Sequence, residues 1–221
     1  KLSTKELSCT PPHDISDQEV ASHYPNGVGE DLIKEIMAKA KVALADAEIN
    51  KKRIAAGKLA VTDIWPWGEG TAPTYPTLAE RYGLTGSVIS AVDLVKGLGH
   101  LAEMEVPHIE GATGYLGTNY KGKVDACREA LKEHDVIYLH IEAPDETSHE
   151  GSLPKKLQAI EEFDEQVVGP VIKMREEFPG LRIIVMPDHP TYVSTKTHAS
   201  GPVPFCVSGE GIAPDDSEFY S

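Results

Sequence analysis

The chain has 221 residues, 40% apolar and 25% charged, enough for one substantial core or a domain with a smaller lobe. A formal net charge of -14 repels nucleic acid and anionic membranes, so neither is expected as a partner. No stretch approaches the ~20 apolar residues of a membrane span, and residues 1–10 are too polar for a signal peptide. Cys9, Cys127 and Cys206 are far apart and odd in number, which points to reduced thiols and a cytoplasmic location.

Residues 1–26, rich in Ser, Thr, Pro, His and Asp, read as an extended lead-in. Over 27–56, Ile33, Ile36, Met37, Ala40, Val42 and Leu44 fall near the helical period, and Gly57 is the stop. A short strand is expected at 59–65, then a loop around Trp65-Pro66-Trp67, a short helix at 76–82 and a strand at 86–90. Residues 91–104 suit a helix and 106–109 a short strand. The loop Gly111-Ala112-Thr113-Gly114 reads as a turn or as an anion cradle, and a helix follows near 121–133. A strand at 135–141 precedes a long helix at about 153–177, with Leu157, Ile160, Val167, Val171 and Ile172 on one stripe. Strands at 182–187 and 203–207 complete the pattern. Alternating strands and helices predict an α/β fold with a mostly parallel sheet, helices on both faces and a site beyond the carboxyl ends of the strands.

That is where the chemistry-bearing residues fall. One strand runs into Asp145 and His149, four apart and so on one face if the turn is helical. Another runs into Asp188-His189, and His198 follows in a Thr/Ser-rich loop. Carboxylate oxygens and imidazole nitrogens are the donors that Mn, Zn or Mg selects, and two divalent ions would offset the negative field against a phosphate ester. His140 is expected in the strand, as a core or supporting residue. His100, His108 and His134 lack partner spacing, and the acidic run 161–165 reads as a solvated face.

These residues, together with Thr10-Pro11-Pro12-His13-Asp14-Ile15, Tyr82-Gly83-Leu84, Val92-Asp93-Leu94-Val95-Lys96-Gly97, Thr118-Asn119-Tyr120-Lys121-Gly122-Lys123 and Lys196-Thr197-His198, resemble the archaeal-type, cofactor-independent phosphoglycerate mutase family of the alkaline phosphatase superfamily. The resemblance implies an alkaline-phosphatase-like sheet in 84–221, with 1–83 part of an inserted α+β substrate lobe and its linker. It assigns one metal to Asp145, His149 and His198, and a second to Asp188 and His189. The implied activity is 2,3-bisphosphoglycerate-independent interconversion of 3- and 2-phosphoglycerate, an isomerase step of glycolysis on a small phosphorylated metabolite.

Family members are roughly twice as long and carry the Ser or Thr nucleophile and another metal-binding Asp in an N-terminal part. The chain is therefore expected to be a C-terminal fragment, inactive without that other half. Where family mutases show an Arg-Gly loop this chain has Trp65-Pro66-Trp67, similar to a bacterial branch proposed as homoserine kinases. Trp67 and Lys96 are the substrate-binding candidates, Trp67 as a cleft wall. A non-catalytic metal-binding domain is the alternative of another class.

Overall fold

The structure, a computed structural model, describes residues 6–15, 17–71 and 73–216. It divides into two compact units, Lys1–Pro73 and Thr74–Ser221, a boundary earlier than residue 83.

In the smaller unit, β1 (Leu7–Ser8) and β2 (Asn26–Gly27) pair antiparallel, with 3-10 turns at Pro12–Ile15 and Val20–His23 between them. The lead-in is thus not extended throughout, although residues 1–5 and Ser16 lie outside the described residues. The expected single helix is two: α1 (Glu30–Ala45) and α2 (Glu48–Ala55). Asn50 explains the break. Its buried amide donates to the Leu44 carbonyl at 2.7 Å and to the Val61 carbonyl at 2.6 Å, and its oxygen accepts from the Val61 N–H at 2.8 Å. One carbonyl near the end of α1 and both backbone groups of Val61 are satisfied by a side chain, so 59–65 forms no strand.

The larger unit carries the α/β core. α3 (Leu78–Tyr82) opens with a capping box, Thr77 Oγ1 accepting from Glu80 N–H while Glu80 accepts from Thr77 N–H. β3 (Gly86–Ile89) pairs in parallel with β4 (Val136–Leu139), Gly86 opposite Val136 and Ile89 opposite Leu139. α4 (Asp93–Leu101) and α5 (Tyr120–Ala130) lie between them in sequence, α5 capped by the Asn119 side chain on Gly122 N–H. α4 approaches β3 closely at Gly99, where a Cβ would stand 2.9 Å from Val88 Cγ2. The expected strand at 106–109 is reduced to one bridge, Ser87 with Glu105.

Ile89, Tyr120, Val124, Cys127, Val167 and Met174 form the buried core. β5 (Ile183–Val185) pairs antiparallel with β8 (Cys206–Ser208), and β6 (Thr191–Tyr192) with β7 (Thr197–His198). The parallel part of the sheet is therefore two strands, and the expected mostly parallel sheet appears among the described residues as separate two-stranded pieces.

The long helix is α7 (Leu153–Phe163), a π turn at Asp164–Val168 and α8 (Gly169–Lys173). Pro170 has no N–H to return to the preceding turn, and the Gly169 N–H reaches back to the Asp164 carbonyl, widening the helix by one residue. The expected stripe is split there. Val167 and Met174 face the core, while Leu157, Ile160 and Ile172 are exposed.

Candidate metal centre

α6 (Ala143–His149) leaves the carboxyl end of β4 and carries the first two ligand candidates. Ala143, Thr147 and Ser148 are its buried face. The two hydroxyls are satisfied within the helix, Thr147 on the Ala143 carbonyl and Ser148 on the Pro144 carbonyl. Asp145 and His149 share the other side, with His149 Nε2 3.1 Å from Asp145 Oδ2. His198 comes from the hairpin of β6 and β7, its Nε2 3.3 Å from Asp145 Oδ1 and 3.0 Å from His149 Nε2.

The structure brings His189 into the same group. One ligand atom each from Asp145, His189 and His198 lies within 4.8 Å of the others, and the rings of His189 and His198 are 4.0 Å apart. Asp188 adjoins through His189: its Oδ1 accepts the His189 N–H at 3.0 Å and its Oδ2 lies 3.4 Å from His189 Nε2. The two expected ligand groups are thus neighbours, with His189 lying between Asp188 and the Asp145–His198 pair.

Hydrogen bonds fix which ring nitrogens face the centre. His149 Nδ1 lies 2.8 Å from the Lys196 carbonyl, which only accepts, so Nδ1 donates there and Nε2 is the nitrogen turned toward Asp145 and His198. Lys196 sits at φ +56 in the hairpin loop, a left-handed conformation uncommon outside glycine. His189 Nδ1 lies 3.1 Å from Thr191 Oγ1, whose own proton goes to Asp145 Oδ1. The hydroxyl must therefore accept from His189 Nδ1, and Nε2 is the nitrogen left facing Asp188.

The ligand atoms of Asp145, His149 and His198 thus stand 3.0–3.3 Å from one another. Ligands each ~2.0–2.1 Å from one zinc-like ion stand about 3–3.4 Å apart. The donor set, its tautomers and its spacing fit a divalent ion.

The surroundings are acidic. Burial, then Glu142 and Asp145, push the Glu146 carboxyl above its usual range. Burial, then Asp188 and Glu142, raise the Tyr138 phenol. Lys156 is the nearby cation. It donates to the Thr191 carbonyl at 2.7 Å, and burial lowers its pKa against the opposing pull of Asp145.

His140 follows β4 rather than lying within it, and joins Ser90 (3.0 Å) to Glu142 (3.1 Å), the residue that opens α6. Lys96 pairs with Asp93 at 3.1 Å. Trp67 belongs to the smaller unit, where its ring meets His13 edge-on at 5.0 Å. Sequence reasoning missed Thr191 and Lys156. The signal for Thr191 was its place two residues after His189.

An α/β sheet that gathers carboxylate and imidazole donors at its strand ends has the build of a metalloenzyme. The chain belongs to the metalloenzyme superfamily, whose profile matches residues 26–220. A probable 2,3-bisphosphoglycerate-independent phosphoglycerate mutase from Geobacter sulfurreducens is 48% identical over 96% of this chain and 55% of its own length. The 2,3-bisphosphoglycerate-independent phosphoglycerate mutase of Methanosarcina barkeri is 47% identical over 91% of the chain and 51% of its own. The chain spans about half the length of the curated relatives it matches.

Among solved structures, a Pyrococcus horikoshii protein superposes with TM-score 0.71 at 29% identity, over 86% of this chain and 50% of its own. The cofactor-independent phosphoglycerate mutase of Thermoplasma acidophilum shares the fold, with TM-score 0.52 at 20% identity over 100% of this chain and 53% of its own. The alkaline-phosphatase-like α/β class read from the sequence is the fold of this chain. No helix among the described residues is long and apolar enough to cross a membrane.

Proposed function

We propose that this chain forms the metal-binding half of a 2,3-bisphosphoglycerate-independent phosphoglycerate mutase, a glycolytic enzyme of the cytoplasm. One observation carries the reading: Asp145, His149, His189 and His198 turn their ligand atoms on one another, with His149 and His189 bonded outward through Nδ1, in a chain whose named relatives are such mutases. Asp145, His149 and His198 would hold one divalent ion, and His189 with Asp188 would contribute to a second. Bound ions would supply positive charge against the phosphoryl oxygens and lower the pKa of a hydroxyl nucleophile. The reading assigns that nucleophile to the part of the relatives' length that this chain does not span.

This chain's residues have three tasks. The Lys196 carbonyl and Thr191 hydroxyl keep the imidazole protons of His149 and His189 on the outer nitrogens. α6 presents Asp145 and His149 together from a helix whose hydroxyls are already satisfied. Lys96 and Trp67 are assigned to substrate, Lys96 as a cation and Trp67 as an apolar wall.

A second reading, a homoserine kinase-like phosphotransferase, rests on Trp65-Pro66-Trp67. The loop has a structural task as well, since Trp65 Nε1 donates to the Thr10 carbonyl at 2.8 Å. The test takes the polypeptide in the length its source expresses, loads it with Mn, Zn or Mg, and follows conversion of 3-phosphoglycerate to 2-phosphoglycerate. Conversion that a chelator abolishes, and that His149→Ala lowers at least about 100-fold, is expected. Transfer to homoserine without mutase turnover would replace the first reading by the second.

A further inference from the structure

Thr191 touches almost everything the metal centre is made of. Its backbone pairs with His198 across the hairpin, Thr191 opposite His198 in the register. Its carbonyl takes the Lys156 ammonium at 2.7 Å. Its hydroxyl donates to Asp145 Oδ1 at 2.5 Å and accepts from His189 Nδ1 at 3.1 Å. Pro190, between His189 and Thr191, accepts from Ala199 N–H at 2.9 Å, so the segment is tied on both sides of the ligand. The residue itself is buried, at 7% exposure.

We infer that Thr191 is a positioning residue that joins the two ligand groups of the metal centre: one hydroxyl orients the Asp145 carboxylate and at the same time sets the His189 tautomer. The inference rests on the metal reading above for its consequence, but the tautomer belongs to the protein without metal. A hydroxyl has one proton. Because an ionised carboxylate can only accept, that proton goes to Asp145, and the remaining capacity of Oγ1 is as an acceptor. His189 must then hold a proton on Nδ1, which leaves Nε2, 3.4 Å from Asp188 Oδ2, as the nitrogen to face an ion. A partner on the far side of a ligating imidazole fixes ring orientation and raises basicity, and its loss typically weakens metal binding ~10–100-fold. Here a single hydroxyl performs that task for an imidazole and a carboxylate drawn from different elements, so its removal loosens both at once.

Thr191→Val keeps the branched shape, the β6–β7 pairing and the carbonyl that holds Lys156, and removes only the hydroxyl. Thr191→Ser restores it. Two readouts are taken on the whole chain: zinc affinity by calorimetry with metal alone, and the His189 tautomer by long-range proton–nitrogen NMR without metal. The expected result is an Nδ1–H tautomer at His189 in the parent chain and in Thr191→Ser, lost in Thr191→Val, with zinc binding ~10–100-fold weaker in Thr191→Val alone. A residue that merely packs would shift the melting temperature and leave the tautomer in place. An unchanged tautomer and affinity in Thr191→Val would overturn the inference. If Thr191→Val does not fold, Thr191→Ala takes its place under the same criteria. Failure of the parent chain to bind zinc would count against the metal reading, and the tautomer comparison would still decide the role of Thr191.

Discussion

The two units are held together by different means. The larger one has an apolar core, with Ile89 and Met174 fully buried among Tyr120, Val124, Cys127 and Val167. The smaller one buries Leu7, Cys9, Ile15 and Met37, and much of its tertiary order comes from side chains bonded to distant backbone groups. Asn50 holds Leu44 and Val61, Trp65 holds Thr10, and Glu69 accepts the Cys9 N–H. Burial of apolar area is non-directional and tolerates local change, whereas a side chain serving backbone groups is specific and unforgiving.

Three measurements can break or sharpen that contrast. The largest effect is expected at Ile89, where Ile89→Ala should cost the larger unit about 3–4 kcal/mol in urea unfolding followed by circular dichroism. A loss below about 1 kcal/mol would mean that the core is not where its stability resides. Next comes Asn50→Ala, which removes a buried amide and its three bonds to the Leu44 and Val61 backbone and should cost the smaller unit about 2 kcal/mol. Both tryptophans of the chain, Trp65 and Trp67, are in that unit, so tryptophan fluorescence reports on it selectively. No change in the fluorescence midpoint would remove Asn50 from its central place.

The smallest effect concerns Lys123, 1% exposed, whose ammonium faces the Thr113 and His140 carbonyls at 3.4 and 3.5 Å. Burial pushes its pKa down to about 8, with Glu142 pulling it up and Lys96 pushing it further down. An unfolded lysine titrates near ~10.4, so between those two values the unfolded chain binds more protons and the stability due to this group rises with pH. Subtracting the stability of Lys123→Met from that of the parent should give a difference that climbs across this window. A flat difference would show that burial does not depress this lysine.

What the sequence revealed follows the same divide. β3, β4 and α5 sit close to where their patterns place them, because apolar runs and the Asn119 cap are local signals of a core element. Asp145 and His149 were legible because four residues is one helical turn, and the turn is helical. The strand expected at 59–65 failed since Val61 spends its backbone bonds on Asn50, a partner eleven residues away that no periodicity records. The split of the long helix was written in Pro170, but its consequence, a rotated apolar stripe, needs the π turn to be seen. Convergence of His189 with Asp145 was legible only as shared position beyond strand ends. The hydroxyl that connects them is a tertiary contact between residues 46 apart.

The flank of β4 away from β3 also bears on how this polypeptide behaves in a test tube. Among the described residues β4 pairs only with β3, and Tyr138 stands at 47% exposure. Such edges are templates for another copy's strand, and what keeps copies apart is mutual repulsion from a net charge of -14. That protection is colloidal and acts over a screening distance of about 10 Å at 0.1 M salt, shrinking to about 3 Å at 1 M. Solutions of this chain should therefore stay clear at low ionic strength and scatter light as salt is added, the reverse of a protein whose self-association is driven by ion pairs.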